Sequence, residues 1–332
     1  MAILVTGSAG FLGKKLCETL AASGIKVKAL VRDQTQRKAF LHPGIQPVLG
    51  DIMDDDSMRS ALAGCTQVYH LAAIASDWAP SKTLFYKVNF QGTLNVLRLA
   101  REAGVEKVVV TSTTGTIGPP DPSNVHEVDE DHVRWVNFFT EYASSKILTE
   151  ERIQHLVREG QHIVITNPTR IFGPGAYDRK NGLAIVIDHY LHRPFALVPG
   201  RKPVVGNYVF LDDVVQGHIQ AMERGRPGEK YILGGYNLTF DQFLRQVQEV
   251  TGHKGRRIRV PNTVLRLMAA GGKLQSALLN KAPLVTSEYL SKLNYNWPVS
   301  SEKAKRELGY EPHDLHDAIQ STVDWLLERR RK

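Results

Sequence analysis

A tyrosine and a lysine four residues apart, Tyr142 and Lys146, are the first residues whose types and spacing could do chemistry. On a helix they would stand on one face, one turn apart, with the ammonium near the phenol. An ammonium there favours the phenolate and lowers the tyrosine pKa from its ordinary value of about 10. A tyrosine tuned in this way can exchange a proton with an alcohol or a ketone. The spacing alone is weak support, because such pairs also occur on helices without a chemical role.

Three hydroxyl side chains, Ser112, Thr113 and Thr114, directly follow the apolar segment 108–111. The apolar segment predicts a strand buried on both faces, as in a parallel sheet. Open parallel sheets bind ligands at the carboxyl ends of their strands, so these hydroxyls are candidates for contact with a ligand.

The unit that must position this chemistry lies at the N-terminus, where an apolar strand at 2–5 precedes the glycines Gly7, Gly10 and Gly13. Their spacing allows a sharp turn, close approach of a pyrophosphate to main-chain N–H groups, and close packing of the following helix. Ordinary turn glycines are the alternative. The helix after the turn and a second strand at 26–31 favour a dinucleotide site instead.

The end of the second strand indicates which dinucleotide binds. NAD enzymes usually place an acidic residue there for the ribose 2'-hydroxyl. This chain has Arg32, with Asp33 one place later and Arg37 and Lys38 shortly after. Because a guanidinium can hold a 2'-phosphate with two hydrogen bonds, we favour NADP(H) as the cofactor. NAD(H) stays open, with Arg32 as a solvated surface residue.

Two further segments fit a dinucleotide. Asp51 follows a predicted strand at 46–49 and could accept a hydrogen bond from the adenine amino group, or it could cap the next helix. Ala72 and Ala73 follow another strand. Their small side chains would allow phosphates and ribose to lie against the backbone.

Length and composition bound the class of protein. At 332 residues with 42% hydrophobic content, the chain can form one full domain and a smaller one. Its two cysteines, Cys17 and Cys65, lack the spacing of metal ligands, which predicts no metal site and a reducing compartment. The chain begins directly with its first strand and has no apolar run of membrane-spanning length, so we expect a cytoplasmic protein with no membrane partner.

The formal net charge of +8 raises the question of nucleic-acid binding. Basic residues cluster at 254–259, 303–306 and 329–332, and no aromatic residues interleave them for base stacking. We therefore expect solvated faces, no nucleic-acid partner and a small-molecule substrate, with attraction of anionic ligands as a secondary effect.

Taken together, the motifs resemble the extended short-chain dehydrogenase/reductase family, in an order and spacing that match over nearly the whole chain. They comprise the glycine turn, 70–73, Asn89, 111–113, the Tyr142–Lys146 pair, 167–168 and 173–175.

Within that family, the chain is most similar to the dihydroflavonol-reductase-like branch, which reduces ketones with NADPH. The similarity lies in residues 31–33, residues 111–116 and the lack of a nucleotide-sugar-type asparagine at Arg170.

The resemblance implies the catalytic roles. Tyr142 would be the general acid/base, and Lys146 would hold the nicotinamide ribose and lower the tyrosine pKa. Thr113 occupies the usual serine position, where its hydroxyl can orient the substrate oxygen beside Thr114. Asn89 would fix the local backbone and a water near the lysine.

The resemblance also implies the cofactor contacts. The backbone of the glycine turn would take the pyrophosphate, and the proline after the sixth strand would line the nicotinamide. The full set is Gly7, Gly10, Phe11, Leu12, Gly13, Arg32, Lys38, Asp51, Ile52, Leu71, Ala72, Ala73, Thr111, Tyr142, Lys146 and Pro168.

Arg170 lies at a position that should face the substrate. Its guanidinium predicts a substrate with a carboxylate, phosphate or other anionic group. The alternative is a structural ion pair with a nearby acidic residue.

The implied function is that of an NADP-dependent oxidoreductase, which interconverts a ketone and a secondary alcohol by hydride transfer with Tyr142 as general acid/base. One alternative is a nucleotide-sugar epimerase or dehydratase with tightly bound NAD, in which Arg170, Arg193 and Arg201 could contact a diphosphate. Another is a non-catalytic scaffold that senses the cofactor, which the intact catalytic set disfavours.

The resemblance implies an α/β fold, a Rossmann doubly wound parallel sheet with a smaller C-terminal α/β substrate domain. The family usually forms homodimers through two long helices, here about 89–103 and 142–158, so we expect a homodimer. The expected domain ranges are 1–172 with a returning segment 207–234 for the cofactor-binding domain, and 173–206 with 235–332 for the substrate domain.

Overall fold

The computed structural model describes residues 2–134, 140–178, 181–200, 202–279 and 287–331, of which 273–279 and 287–289 by their backbone alone. The strands are β1 (Ala2–Thr6), β2 (Val27–Val31), β3 (Ile45–Leu49), β4 (Cys65–His70), β5 (Lys107–Thr111), β6 (Ile163–Pro168), β7 (Arg170–Phe172), β8 (Phe195–Pro199), β9 (Val205–Phe210), β10 (Lys230–Leu233), β11 (Tyr236–Thr239) and β12 (Arg256–Val260).

The α-helices are α1 (Phe11–Ala22), α2 (Gln34–Arg37), α3 (Asp55–Leu62), α4 (Lys82–Phe85), α5 (Thr93–Glu102), α6 (Glu141–Arg158), α7 (Gly182–Leu191), α8 (Leu211–Arg224), α9 (Phe240–Thr251), α10 (Asn262–Leu279), α11 (Ser287–Lys292), α12 (Glu302–Leu308) and α13 (Leu315–Arg331). A π-helical segment (Tyr86–Gly92) joins α4 to α5, and a 3-10 turn (Thr114–Thr116) follows β5.

A sheet of seven parallel strands has the order β10-β6-β5-β4-β1-β2-β3. The chain runs outward from β1 to β3, then returns to β4 beside β1 and continues in the other direction. This reversal between β1 and β4 is the point at which doubly wound sheets bind ligands. The predicted Rossmann sheet is confirmed.

Two apolar layers cover the sheet, one on each face. Ile3 and Val5 of β1 pack in a core with α1 and α8, whereas Leu4 packs in a core with α3, α5 and α6. Successive strand side chains point to opposite faces, so a strand covered on both sides needs an uninterrupted apolar run. Coverage of β1 on both faces therefore explains the apolar character of residues 2–5.

The remaining strands form two smaller sheets. β11, β9 and β7 make a three-stranded sheet, and β12 pairs in parallel with β8. A third apolar core lies between these strands and α7, α9 and α13. Within the predicted returning segment 207–234, β10 lies at the edge of the central sheet beside β6, while β9 pairs with β7 and β11.

The predicted strands at 2–5, 26–31 and 46–49 differ from β1, β2 and β3 by one residue at one end. The long helix predicted at about 89–103 begins within the π-helical segment, whose wider hydrogen-bond ring has no signature in the apolar periodicity. Within the described ranges, no helix combines the length and the apolar character needed to cross a bilayer.

Candidate active site

The glycine turn is packed against the end of β4. Gly7 has φ +68°, and a Cβ there would lie 2.6 Å from the Ala72 nitrogen. A Cβ on Gly13 would lie 2.2 Å from the Gly7 oxygen. Helix α1 begins at Phe11 with Gly10 as N-cap, and no side chain caps it. The cradle is therefore made of backbone, and the first N–H groups of α1 are offered to a ligand.

The loop after β4 is held beside this turn. The N–H of Leu71 donates to the Thr6 carbonyl at 3.2 Å, and the N–H of Ala72 donates to the Thr6 hydroxyl oxygen at 3.3 Å. Leu71, Ala72 and Ala73 are all half-buried, and Leu12 packs against the core from the other side of the turn. The predicted pyrophosphate residues thus lie together at the switch point of the sheet.

At the end of β2, the acidic residue next to Arg32 has a structural partner. The Asp33 carboxylate caps α2 by accepting from the N–H of Gln36 at 2.8 Å. Arg32, Arg37 and Lys38 are exposed, and the Arg32 guanidinium has no polar partner among the described residues. These cations are free to meet an anionic group.

Asp51 does not cap the next helix. Its Oδ1 accepts from the N–H of Met53 at 2.9 Å, and the N-cap of α3 is Asp54, so the capping alternative for Asp51 is wrong. Ile52 is buried, and its carbonyl accepts from the Asn95 side chain at 2.8 Å. Asp51 itself is exposed beside the cofactor edge of the sheet.

Helix α6 brings the predicted catalytic groups to the end of β5. The helix starts where the Thr140 hydroxyl oxygen accepts from the N–H of Ala143 at 3.0 Å. Two residues on, the Tyr142 side chain lies beside the Thr113 side chain. Lys146 is buried, and its Nζ donates to the Thr111 carbonyl at 2.8 Å.

The pKa values of the pair differ from the sequence prediction. Burial, with a smaller effect of the Asp77 charge, raises the pKa of Tyr142 above its ordinary value, and the neighbouring Thr113 side chain only partly opposes this rise. Burial lowers the pKa of Lys146 to about 8, against the opposing charge of Glu150. The prediction that Lys146 lowers the tyrosine pKa is wrong in this structure, because the ammonium is bound to a carbonyl and desolvation of the phenolate dominates.

A buried carboxylate, Glu150, lies one turn after Lys146 on the same face of α6. Its Oε2 is 2.9 Å from Nζ of Lys230. Its Oε1 accepts hydrogen bonds from Ser112, Thr116 and Asn167. This network joins α6 to the ends of β5, β6 and β10. Sequence analysis did not select Glu150, although its spacing of four from Lys146 was an available signal.

Asn89 is fully buried within the π-helical segment. Its Oδ1 accepts from the N–H of Ile74 at 2.8 Å, and its Nδ2 donates to the Ser145 hydroxyl at 3.1 Å. Its carbonyl accepts from the Thr149 hydroxyl at 3.1 Å. Asn89 therefore ties the loop after β4 to the helix that carries Lys146. π-helical turns of this kind are frequent at functional sites.

Residues at the end of β6 contact Thr113 and Thr114. Asn167 donates from Nδ2 to the Thr113 carbonyl at 3.0 Å, which fixes the position of the predicted substrate-orienting residue. The hydroxyl of Thr114 lies 3.5 Å from the Pro168 carbonyl. Thr113, Thr114 and Pro168 are thus adjacent, as the predicted contacts with substrate and nicotinamide require.

A cavity of about 130 Å³ opens beside Thr113 and Thr114. Lys292 of α11 reaches it and forms a salt bridge with Asp77 at 2.7 Å. Sequence analysis did not select Lys292, which lies far along the chain from its partner. The cavity is lined by Thr113, Thr114, Gly115, Thr169, Arg170, Gly206, Asn207, Lys292, Trp297 and Val299.

Arg170 lies on this cavity with its guanidinium 5.5 Å from the centre of the Tyr208 ring and Nη1 3.3 Å from the Tyr208 hydroxyl. Among the described residues no carboxylate pairs with Arg170, so the predicted alternative of an ion pair is not found there. Arg193 does not line the cavity, and Arg201 lies outside the described residues.

Known proteins resemble the chain in sequence and in structure. Residues 3–234 match the sequence profile of the NAD dependent epimerase/dehydratase family. The chain is 32% identical to sterol demethylase protein B of Methylococcus capsulatus, over 99% of both chains. It is 29% identical to a putative dihydroflavonol 4-reductase of Synechocystis, over 97% of this chain and 93% of that one. The crystal structure of gox2253 is similar, with 31% identity, a TM-score of 0.80 and 99% of both chains covered.

The glycine cradle, the uncapped start of α1 and the strand ends at the switch point fit a nicotinamide dinucleotide. The matches confirm the resemblance to extended short-chain dehydrogenases/reductases, a class of NAD(P)-dependent oxidoreductases. The chain belongs to the NAD-dependent epimerase/dehydratase family.

Proposed function

We propose that the protein is an NADP-dependent oxidoreductase that interconverts a ketone and a secondary alcohol by hydride transfer, with Tyr142 as the general acid/base. The observation that carries the proposal is the position of Tyr142 beside Thr113, with Lys146 one turn along α6. Thr113 borders a cavity at the carboxyl end of β5. A substrate oxygen bound beside Thr113 would also lie near the Tyr142 hydroxyl.

The protonation states of the pair suit reduction. A raised pKa keeps Tyr142 as a phenol at neutral pH, which is the form that can donate a proton to the oxygen of a reduced ketone. Thr113 would orient that oxygen with its hydroxyl. Lys146 carries its charge below about pH 8, where it would bind the nicotinamide ribose. The cofactor, when bound, supplies or accepts the hydride.

The preference for NADP rests on Arg32. Asp33, the acidic residue nearest to the end of β2, already caps α2. Arg32, together with the exposed Lys38, would therefore meet a 2'-phosphate, and the uncapped start of α1 would take the pyrophosphate. Asp51 would accept from the adenine amino group.

The substrate would carry an anionic group bound by Arg170. The guanidinium is oriented by the Tyr208 ring at the cavity, and no described carboxylate neutralises it. Lys292 adds a second cation to the same cavity, although Asp77 offsets its charge. A carboxylate or phosphate on the substrate would complete this side of the site.

The experiment measures NADPH oxidation by the purified protein over ketones in matched pairs, with and without a carboxylate. We expect turnover of a carboxylate-bearing ketone, faster with NADPH than with NADH. Arg32→Asp should remove the preference for NADPH without lowering turnover with NADH. Turnover that is equal with both cofactors and unchanged by Arg32→Asp would contradict the NADP assignment.

A further inference from the structure

Gly206 and Arg170 line the cavity beside Thr113 from the neighbouring strands β9 and β7. A Cβ built on Gly206 would lie 2.3 Å from Nη1 of Arg170, 2.6 Å from its Cζ and 3.0 Å from its Nη2. The three atoms nearest to that position therefore all belong to one guanidinium group. Arg170 occupies the space that a side chain at position 206 would fill.

The backbone of β9 does not itself require a glycine at this position. Gly206 has no positive φ, so other residues could adopt its conformation. A glycine inside a strand often marks the close approach of another group. At Gly235 that group is backbone, because a Cβ there would lie 2.3 Å from the Tyr208 carbonyl oxygen. At Gly206 the group is a charged side chain, so this glycine makes room for Arg170.

The strand around Gly206 is held on both sides. Gly206 pairs with Leu238 of β11. The next residue, Asn207, accepts from the Thr169 hydroxyl at 2.8 Å and donates from Nδ2 to the Asn237 side chain at 2.9 Å. The guanidinium, in contrast, is the end of a flexible and exposed side chain. A side chain added at position 206 would therefore displace the guanidinium and leave the strand in place.

The guanidinium of Arg170 keeps donors for a ligand. Its Nη1 lies 3.3 Å from the Tyr208 hydroxyl, and its Cζ lies 5.5 Å from the centre of the Tyr208 ring. That ring is stacked on Phe243, with 4.7 Å between the ring centres. Among the described residues, none accepts a hydrogen bond from Nε or Nη2. A planar group held in this way can bind a carboxylate or phosphate with two parallel hydrogen bonds.

We propose that Gly206 is a specificity-determining residue, because it leaves the space in which the Arg170 guanidinium lies against β9 and so selects substrates with a carboxylate or phosphate. The inference rests on the proposed function, in which Arg170 binds that anionic group. A larger residue at position 206 would push the guanidinium away from the Tyr208 ring. The site would then bind neutral and anionic ketones equally well.

Binding of two matched ligands tests the proposal without any turnover. The probes are 4-acetylbenzoate and the neutral 4-acetylbenzamide, titrated by calorimetry into the full-length protein with NADP+ present. The oxidised cofactor has no hydride to give, so neither ketone is consumed. We expect the unchanged protein to bind the carboxylate about tenfold more tightly than the amide, as one charge-assisted hydrogen bond allows. Gly206→Ala should remove this preference and leave binding of the amide unchanged.

Two further variants show whether Gly206 acts through Arg170. In the Arg170→Ala background, Gly206→Ala should change the affinity of neither ligand, because the group that it displaces is already absent. Gly182→Ala is the matched control, since a Cβ at the start of α7 would meet nothing within 4 Å. It should bind both ligands like the unchanged protein. Gly206→Ala should also keep the Tm of the unchanged protein, because an exposed side chain relieves the collision.

The outcomes separate this inference from the proposed function. Equal binding of the two ligands by the unchanged protein, or a preference that Arg170→Ala keeps, would overturn the role of Arg170 and that of Gly206 with it. A preference that Arg170→Ala loses and Gly206→Ala keeps would overturn the role of Gly206 alone. Weaker binding of both ligands by Gly206→Ala would mean that the alanine blocks the cavity, and an unfolded variant would mean that it strains β9. Either result would overturn the proposal.

Discussion

The two sides of the candidate active site are built in different ways. On the α6 side, Lys146 is 2% exposed and bound to the Thr111 carbonyl, and the buried Glu150 accepts several hydrogen bonds. On the β7–β9 side, Arg170 is exposed and lies over the Tyr208 ring. Buried polar groups need fixed partners, whereas an exposed arginine can adjust. On the proposed function, the buried side would fix the chemistry, and the open side would select the substrate.

The largest effect should come from the fixed side. Tyr142→Phe removes the proton donor and should lower kcat by about 10²- to 10⁴-fold, while NADPH affinity stays nearly unchanged. Steady-state kinetics and NADPH titration measure the two quantities. Tyr86→Phe is the control, because Tyr86 donates to Glu141 at the start of the same helix, whereas Tyr142 lies beside Thr113. Equal kcat values for the two variants would show that Tyr142 takes no part in proton transfer.

The glycine turn offers a second test of a crowded position against an open one. Gly7 and Gly24 both have positive φ, but a Cβ on Gly24 would meet nothing within 4 Å, whereas one on Gly7 would collide with the Ala72 nitrogen. Gly7→Ala should weaken NADPH binding about 100-fold, because the turn must open. Gly24→Ala should cost about 1 kcal/mol of stability and leave binding unchanged. Titration and thermal unfolding give both values. Similar NADPH affinities in the two variants would contradict the role of the glycine turn in cofactor binding.

On the open side, Arg170→Ala should raise the KM of a carboxylate-bearing substrate about tenfold and leave kcat nearly unchanged, because a charge-assisted hydrogen bond is lost outside the chemistry. The KM of the matched neutral ketone should not move. Arg193→Ala, away from the cavity, is the control. An unchanged KM for the anionic substrate would mean that Arg170 does not bind it.

The smallest effect concerns the charge of Lys146. Burial lowers its pKa from 10.5 to about 8, so the ammonium is complete well below pH 8 and is lost as pH rises through that value. Activity that needs the ammonium should be full at pH 6.5 and about half at pH 8. Lys146→Arg keeps its charge, so any activity it retains should lack this step. A pH profile that is flat through pH 9 would contradict the role of the charge.

The positions of the candidate site residues could be predicted because they follow local patterns. The glycines of the first turn stand between a strand and a helix, and Tyr142 and Lys146 lie one helical turn apart. Other features depend on contacts between distant parts of the chain. Glu150 meets a strand eighty residues later through Lys230, and the Tyr142 pKa depends on burial that no local pattern records.

The fold shows the same division. The central sheet could be predicted, because apolar runs between turn signals mark strands such as β1, β5 and β6. The pairing of β9 with β7 and β11 could not, since strands of one pattern can join either sheet. The roles of the site residues, the domain ranges and the homodimer stay predictions.

The measurement that tests the central claim most directly is nucleotide binding by the purified protein. Fluorescence titration compares NADPH with NADH, and denaturation shows which nucleotide the protein retains. We expect NADPH to bind about ten times more tightly than NADH and to exchange freely, because Arg32 would contact the 2'-phosphate. Tightly retained NAD would contradict this account and favour a nucleotide-sugar epimerase or dehydratase.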